Sequence, residues 1–276
     1  MLSRVAAVSS SQLAFGVASV LVFVASGACS DNSSPIPFPG SGDGSTDVVD
    51  GAAAAPSCPD AGVVVDPSTL IDDFEHSGNA NLPMIAGRAG GWFASGDATP
   101  GAIVNPSGLA MPEPIPGGRC GSRHALHVTG SGFNDWGSLV AVAMHYGTNS
   151  AGVFEELPYD ARARGYQGIT FFARIGDTAV NTVRFAASDQ YSRPEAGLCS
   201  TSGGVGNGCY DTFGVPLDHD LGTEWKEFRV PWTGMSQRSF GLQGGLTPDA
   251  SKLYDISFNF PGRVVFDLWV DDVRFF

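Results

Sequence analysis

The last apolar stretch of the chain alternates with the period of a strand that buries one face: Phe266, Leu268 and Val270 interleave with Asp267 and Trp269. Beyond Asp271 and Asp272 the phase slips, because Val273 and Phe275 fall on the opposite parity. A continuous strand keeps both apolar sets inward only if an extra residue bulges out at the acidic pair; otherwise it must be covered on both faces. An apolar strand at a chain end is expected to tuck into a sheet rather than fray. The expected partner is the other acidic strand, residues 70–75, Leu-Ile-Asp-Asp-Phe-Glu, where the folded part begins.

The same period recurs upstream. Ile169, Phe171, Ala173 and Ile175 alternate with Thr170, Phe172 and Arg174, and Val183, Phe185 and Ala187 alternate with Thr182, Arg184 and Ser188. Phe228 and Val230 alternate with Glu227 and Arg229. Tyr254, Ile256, Phe258 and Phe260 alternate with Asp255, Ser257 and Asn259, and a Pro261-Gly262 turn leads on to the closing strand, which predicts a hairpin. Residues 92–95, 125–129 and 138–146 read as further strands, and only a turn near 159–164 reads as helical. Short strands separated by Gly, Pro, Asn and Asp predict an all-β domain, a two-sheet antiparallel β-sandwich of the jelly-roll kind.

The first 69 of the 276 residues do not share this pattern. Arg4 precedes an apolar run over 13–24 and a small-residue exit, Ser26-Gly27-Ala28, ahead of Cys29. The run is shorter than the ~20 residues of a spanning helix, so residues 1–28 read as a removable export signal. The segment resembles a bacterial lipoprotein signal, although Ser26 stands where that pattern usually has leucine. The resemblance implies lipid on Cys29; the alternative is cleavage after Ala28 with Cys29 unmodified. Residues 30–69 are Ser, Gly, Ala and Pro with several aspartates and no Lys or Arg, which predicts a disordered tether from Cys29 with a reach on the order of 35 Å. The remaining residues, 70–276, suffice to bury about 70% of their unfolded surface in one core, so the domain is expected to fold as a monomer. The net charge of −13 and scattered arginines argue against nucleic acid.

Apart from Cys29, the cysteines are Cys58, Cys120, Cys199 and Cys209, an even set in an exported chain, with three possible pairings. Cys199 with Cys209 is favoured because the Gly-rich segment between them can bend, closing a loop worth roughly 3 kcal/mol on the chain-entropy model. Cys58 with Cys120 follows by elimination.

Four segments in order resemble a known family. They are Asp72-Asp73-Phe74-Glu75, the run from Tyr166 to Arg174, the run from Thr223 to Trp232, and Leu268-Trp269-Val270-Asp271-Asp272-Val273. Together they are similar to a galactose-binding-like β-jelly-roll, nearest to family 11 carbohydrate-binding modules and to the similar domain of complex I intermediate-associated proteins. Each motif alone is loose; their order carries the likeness. The resemblance implies a structural Ca²⁺ held by Asp73, Glu75, Asp271 and Asp272. Such a hard cation wants several oxygen ligands, and the alternative is solvated strand ends capped by Arg263 or Arg274.

A face of Thr170, Arg174, Thr182, Arg184, Ser188, Ser257, Asn259, Asp267 and Trp269 would suit a sugar, which stacks on a flat ring beside donors and acceptors for its hydroxyls. Candidate platforms are Trp92, Trp136, Tyr146, Tyr191, Tyr210 and Trp269, with Arg174, Arg184, Asp135, Asp189 and Arg193 as polar neighbours; core packing is the competing reading for each ring. Trp225 is expected to pack. Signatures of hydrolase, zinc protease and phosphate-loop chemistry are absent from the sequence. Neighbouring Glu155 and Glu156 cannot face each other across a substrate. Asp218-His219-Asp220 reads as a solvated turn, and His124 and His127 point apart on a strand, which disfavours a metal site with Cys120. The expectation is therefore a lipid-anchored or secreted protein of the bacterial cell envelope, on the outer membrane if lipidated, that binds a polysaccharide or glycan without catalysis. A protein-interaction module or a jelly-roll lyase or glycosidase is the alternative.

Overall fold

The computed structural model describes residues 65–276 apart from Ser77, Thr178, Val180 and Asn181. The export signal, Cys29, Cys58 and nearly all of the tether lie outside the described residues. The strands are β1 (Leu70–Asp72), β2 (Gly91–Gly96), β3 (Ile103–Asn105), β4 (Gly108–Leu109) and β5 (Pro112–Arg119). They continue with β6 (Ser122–Ser131), β7 (Ser138–Ala143), β8 (Tyr146–Thr148), β9 (Phe154–Glu156) and β10 (Gly168–Ile175). The last are β11 (Arg184–Ser188), β12 (Phe213–Pro216), β13 (Lys226–Pro231), β14 (Asp255–Phe260) and β15 (Phe266–Phe275).

Two antiparallel sheets form a sandwich. The closing sheet runs β13-β10-β15-β6-β3, with β1 beside the second half of β15 and β5 beside β6; the opposite sheet runs β12-β11-β14-β7-β2-β4. As expected, the two acidic strands lie side by side, Leu70 pairing with Arg274 and Asp72 with Val273. The bulge is present. Thr170 to Phe172 on β10 spans Arg274 to Asp271 on β15, which leaves one extra residue on β15. Asp272 has φ 48° there, so Val273 and Phe275 return to the core side with Phe266, Leu268 and Val270.

Phenylalanines fill the space between the sheets. Phe171 meets Phe185 at 4.8 Å and Phe258 at 5.0 Å between ring centroids, and Phe260 stacks on Phe266 at 3.9 Å. That last contact explains a departure from expectation. The Pro261-Gly262 turn is an arch between sheets, because β14 belongs to one and β15 to the other. Phe260 and Phe266 bury each other by facing across the core, whereas a hairpin would lay them in one layer. The polar face expected as one surface is therefore divided. Thr170, Arg174, Asp267 and Trp269 lie on the outside of the closing sheet, while Arg184, Ser188, Ser257 and Asn259 lie on the outside of the other.

Candidate functional site

The outer face of the β12-β11-β14-β7-β2-β4 sheet carries a groove of about 590 Å³, within the usual range for ligand sites. Residues that alternate away from the core make its floor: Phe93 and Ser95 from β2, Leu139 and Ala141 from β7, Ser257 and Asn259 from β14, Arg184 and Ser188 from β11. Asn259 donates to Ser257 Oγ at 3.0 Å. Loops supply the rim. Trp136, Tyr210 and Phe240 line the groove and are 52%, 56% and 46% exposed, too much for core residues.

Two of the rim aromatics, Trp136 and Phe240, are held by buried carboxylates that collect backbone N–H groups. Asp97 Oδ2 accepts from Asp135 N at 3.0 Å and Gly137 N at 2.9 Å, which brackets Trp136, while Oδ1 accepts from Thr99 N at 3.0 Å. Burial pushes the Asp97 carboxyl up, but these bonds and one from the Thr99 hydroxyl outweigh it and hold the group below its ordinary range. Glycine is required beside Trp136. Gly137 has φ +100°, and a Cβ there would lie 2.0 Å from the Phe260 carbonyl oxygen, so the loop packs backbone to backbone on the arch. Asp211 serves the other rim, accepting from Arg238 N at 2.8 Å and from Phe240 N and Gly241 N at 3.0 Å. Tyr210 lies between Asp211 and Cys209, whose disulfide to Cys199 matches expectation, and its N–H donates to Ser192 O at 2.8 Å.

At one end of the groove Arg193 is held among three carboxylates: Asp255 at 3.1 Å, Glu156 at 2.7 Å and Glu195 at 3.1 Å. Burial works against its charge, but the acids outweigh burial and keep it protonated. Burial, with Asp255 adding, pushes Glu156 up to about 7. Arg184 stands toward the other loop, its Nη2 donating to the carbonyls of Thr212 and Ser236.

Of the predicted site residues, Trp136, Tyr210, Arg184, Ser188, Arg193, Ser257 and Asn259 meet at this groove, and the others do not. Trp92 is 1% exposed, packs on Phe74 and donates its indole N–H to Asp72 at 2.9 Å, so it is a core residue. Tyr146 stacks on Phe154 in the β8–β9 hairpin. Tyr191 packs at Gly244, where an added Cβ would lie 2.8 Å from its ring. Arg174 and Trp269 belong to the closing sheet, with Arg174 5.1 Å from the Trp269 ring and His127 stacked on it at 3.8 Å. Asp189 is buried, capping Tyr191 N and Asp249 N. Phe240, Arg238, Asp97 and Asp211 were missed. Asp97-Ala98-Thr99 is an Asx-turn signal that could have marked one anchor, and Tyr210 beside a bridged cysteine could have marked the other.

The residues expected to hold Ca²⁺ do not fit that ion as they stand. Arg119 Nε donates to Asp271 Oδ2 at 2.8 Å and its Nη2 to Asp272, which Arg274 also reaches at 3.1 Å. One guanidinium thus spans the bulge. Glu75 Oε1 accepts from Arg123 N, His124 N and Ser122 Oγ at 2.7, 2.8 and 3.1 Å. Asp73 Oδ1 accepts from Glu75 N at 3.2 Å. These oxygens face donors rather than a shared cavity, and among the described residues no cluster of three or more His, Cys, Asp or Glu is placed to hold a metal. The buried acid at this corner is Asp72, pushed up to about 6 by burial against bonds from Phe74, His76 and Trp92. Arg263 does not cap the pair. Cys120 is disulfide-bonded, and its expected partner Cys58 lies outside the described residues. His127 contacts Glu113 and Asp267 at 2.9 Å, whereas His124 faces Glu75.

Fold and groove together define an all-β sandwich with an aromatic-rimmed cleft across one sheet. No protein-family model matches the chain, and no curated protein matches it. Solved structures similar to it include family 11 and family 30 carbohydrate-binding modules. A family 11 module of a cellulosomal cellulase of Clostridium thermocellum is 17% identical, with 75% of this chain and 92% of that one covered and a TM-score of 0.45. A family 11 module from the same organism, in complex with a β-1,3-1,4-mixed-linked tetrasaccharide, is 16% identical, with 75% and 94% covered and a TM-score of 0.46. A family 30 module of a cellulosomal cellulase of that organism is 10% identical, with 67% and 90% covered and a TM-score of 0.44. The likeness is one of shape, and what those modules bind is a property of theirs.

Proposed function

We propose that this chain binds a carbohydrate, a polysaccharide or glycan, in the groove rimmed by Trp136, Tyr210 and Phe240, and does so without catalysis. The observation that carries the reading is the exposure of these three rings around a floor of hydroxyl, amide and guanidinium groups. Apolar rings left in water on anchored loops cost hydration free energy that a stacked sugar ring recovers, and the loop anchors mean that little ordering is needed on binding. The state of the acids supports binding over turnover. Asp255 and Asp211, the carboxylates of the lining, are tied to Ser188 and Arg193 and to backbone N–H groups respectively, whereas a catalytic acid and base must face the reacting bond. In this reading residues 1–28 direct export, Cys29 carries the lipid, and residues 29–69 hold the domain away from the bacterial envelope surface.

Affinity electrophoresis through gels containing soluble polysaccharides tests the reading. The panel takes in mixed-linkage β-1,3-1,4-glucan, charged and neutral cellulose derivatives, polyuronates and sulfated galactans. At least one is expected to retard the wild-type chain, and Trp136→Ala and Tyr210→Ala are each expected to weaken retardation by about tenfold or more, the size of a central aromatic contact. Migration unaffected by every polysaccharide would refute the proposal. Release of reducing ends from a retarding polysaccharide would refute its non-catalytic part.

A further inference from the structure

Arg184 and Arg238 both line the groove, and among the described residues neither has a carboxylate within ion-pair distance. Arg193, by contrast, is fully engaged by Asp255, Glu156 and Glu195. Arg184 spends its Nη2 on the Thr212 and Ser236 carbonyls, and its guanidinium lies over Gly214, where an added Cβ would come within 2.9 Å of Nε. Its remaining N–H groups have no hydrogen-bond partner among the described residues. Arg238 is exposed on the loop that wraps Asp211.

Arg184 carries its charge at a cost. Burial lowers the Arg184 pKa to about 10, the neighbouring Arg238 charge lowers it in the same direction, and the attraction of Asp211 only partly opposes them. Two cations against one carboxylate is an excess of positive charge at one spot of a chain whose net charge is −13. A neutral sugar hydroxyl cannot cancel that repulsion. An anionic oxygen pair can, because the planar guanidinium fork matches carboxylate and sulfate geometry.

We infer, on the basis that the groove binds carbohydrate, that it selects polysaccharides carrying anionic substituents, carboxylate or sulfate ester, seated against Arg184 and Arg238 while Trp136 and Tyr210 stack on the sugar rings. Selection comes from charge placed beside the stacking rim, so the same backbone with and without charge should be told apart.

The test compares carboxymethyl-cellulose with hydroxyethyl-cellulose, and polygalacturonate with a sulfated galactan, by affinity electrophoresis and titration calorimetry on the full chain. The charged cellulose is expected to bind about tenfold or more tighter than the neutral one at low salt, with the gap closing at high salt as the charges are screened. Arg238→Gln, on an exposed loop, and Arg184→Met are each expected to cut binding of the anionic polymer about tenfold, while Arg164→Gln, an exposed arginine outside the groove, leaves it unchanged and excludes a general charge effect. The polyuronate and sulfated arms assign the substituent. Equal or tighter binding of the neutral polymer overturns the inference and leaves the carbohydrate reading standing, provided Trp136→Ala still weakens it. An Arg238→Gln variant as competent as wild type on the anionic polymer also overturns the inference. Binding to no polysaccharide overturns both.

Discussion

Replacing Arg119 by methionine probes how the sandwich is closed. The Arg119 side chain is 6% exposed and the Asp271 side chain 0%, and the guanidinium lies 3.9 Å from the Phe172 ring centroid. Methionine keeps the aliphatic stem and removes the charge, so Asp271 is left buried with its partner gone. Breaking a buried pair from one side costs about 3–5 kcal/mol, a large share of the 5–15 kcal/mol by which domains are typically stable. At about 2–4 °C per kcal/mol for a domain of this size, Tm should fall by about 6–20 °C, measured by calorimetry at pH 7. Burial pushes the Asp271 carboxyl up and Arg119 only partly opposes it; without Arg119 the folded chain takes up this proton at a still higher pH relative to the unfolded chain. Stability lost at neutral pH is therefore regained on acidification, and the deficit relative to wild type should shrink as pH falls. Wild-type Tm should not respond to a chelator, because Arg119 and Arg274 together already neutralise the pair. A fall in Tm under about 2 °C for Arg119→Met, or wild-type melting that shifts with chelator, would refute this account of the corner.

Glu156 predicts a second pH effect. Its carboxyl is pushed from 4.5 up to about 7, chiefly by burial, so its contribution is unperturbed at low pH and turns destabilising as pH rises from about 4.5 through 7. Tm plotted from pH 5 to 8 should fall less steeply in Glu156→Gln than in wild type, and parallel curves would contradict the assignment. The disulfide predicts a link between loop and groove. Opening the loop with Cys199→Ser and Cys209→Ser together should cost about 3 kcal/mol and weaken retention by any polysaccharide that wild type binds, since Tyr210 and the Asp211 anchor follow Cys209 directly. Unchanged retention would show that the Tyr210 N–H bond to the Ser192 carbonyl and the Asp211 anchor hold Tyr210 in place without the bridge.

Much of the scaffold was legible in the residues. Period-two alternation marks which side chains of a strand face the core, and the change of parity at Asp271-Asp272 narrowed the closing strand to a bulge or cover on both faces, of which β15 makes the bulge. The Cys199–Cys209 bridge was equally accessible, because it closes a short loop, and the pairing of the two acidic strands was reached from their shared acidic motif at the two ends of the folded part. Alternation does not say which strands become neighbours or which sheet a strand enters. The arch at Pro261-Gly262 was therefore read as a hairpin, and the polar residues of two outer faces were merged into one. The same limit explains Trp92 and Trp136. Both are tryptophans near glycines, but Trp92 points into the core toward Asp72, and Trp136 is pushed out by a loop tied to Asp97. Arg119 meets Asp271 from 152 residues away, a separation that no window of sequence spans. The chain's own pattern thus determines its strands, its buried faces and where the closing strand changes phase. Only the tertiary structure decided which aromatics reach water around a groove and which distant cation helps neutralise the acidic corner, because both depend on loops and strands brought together from distant parts of the chain.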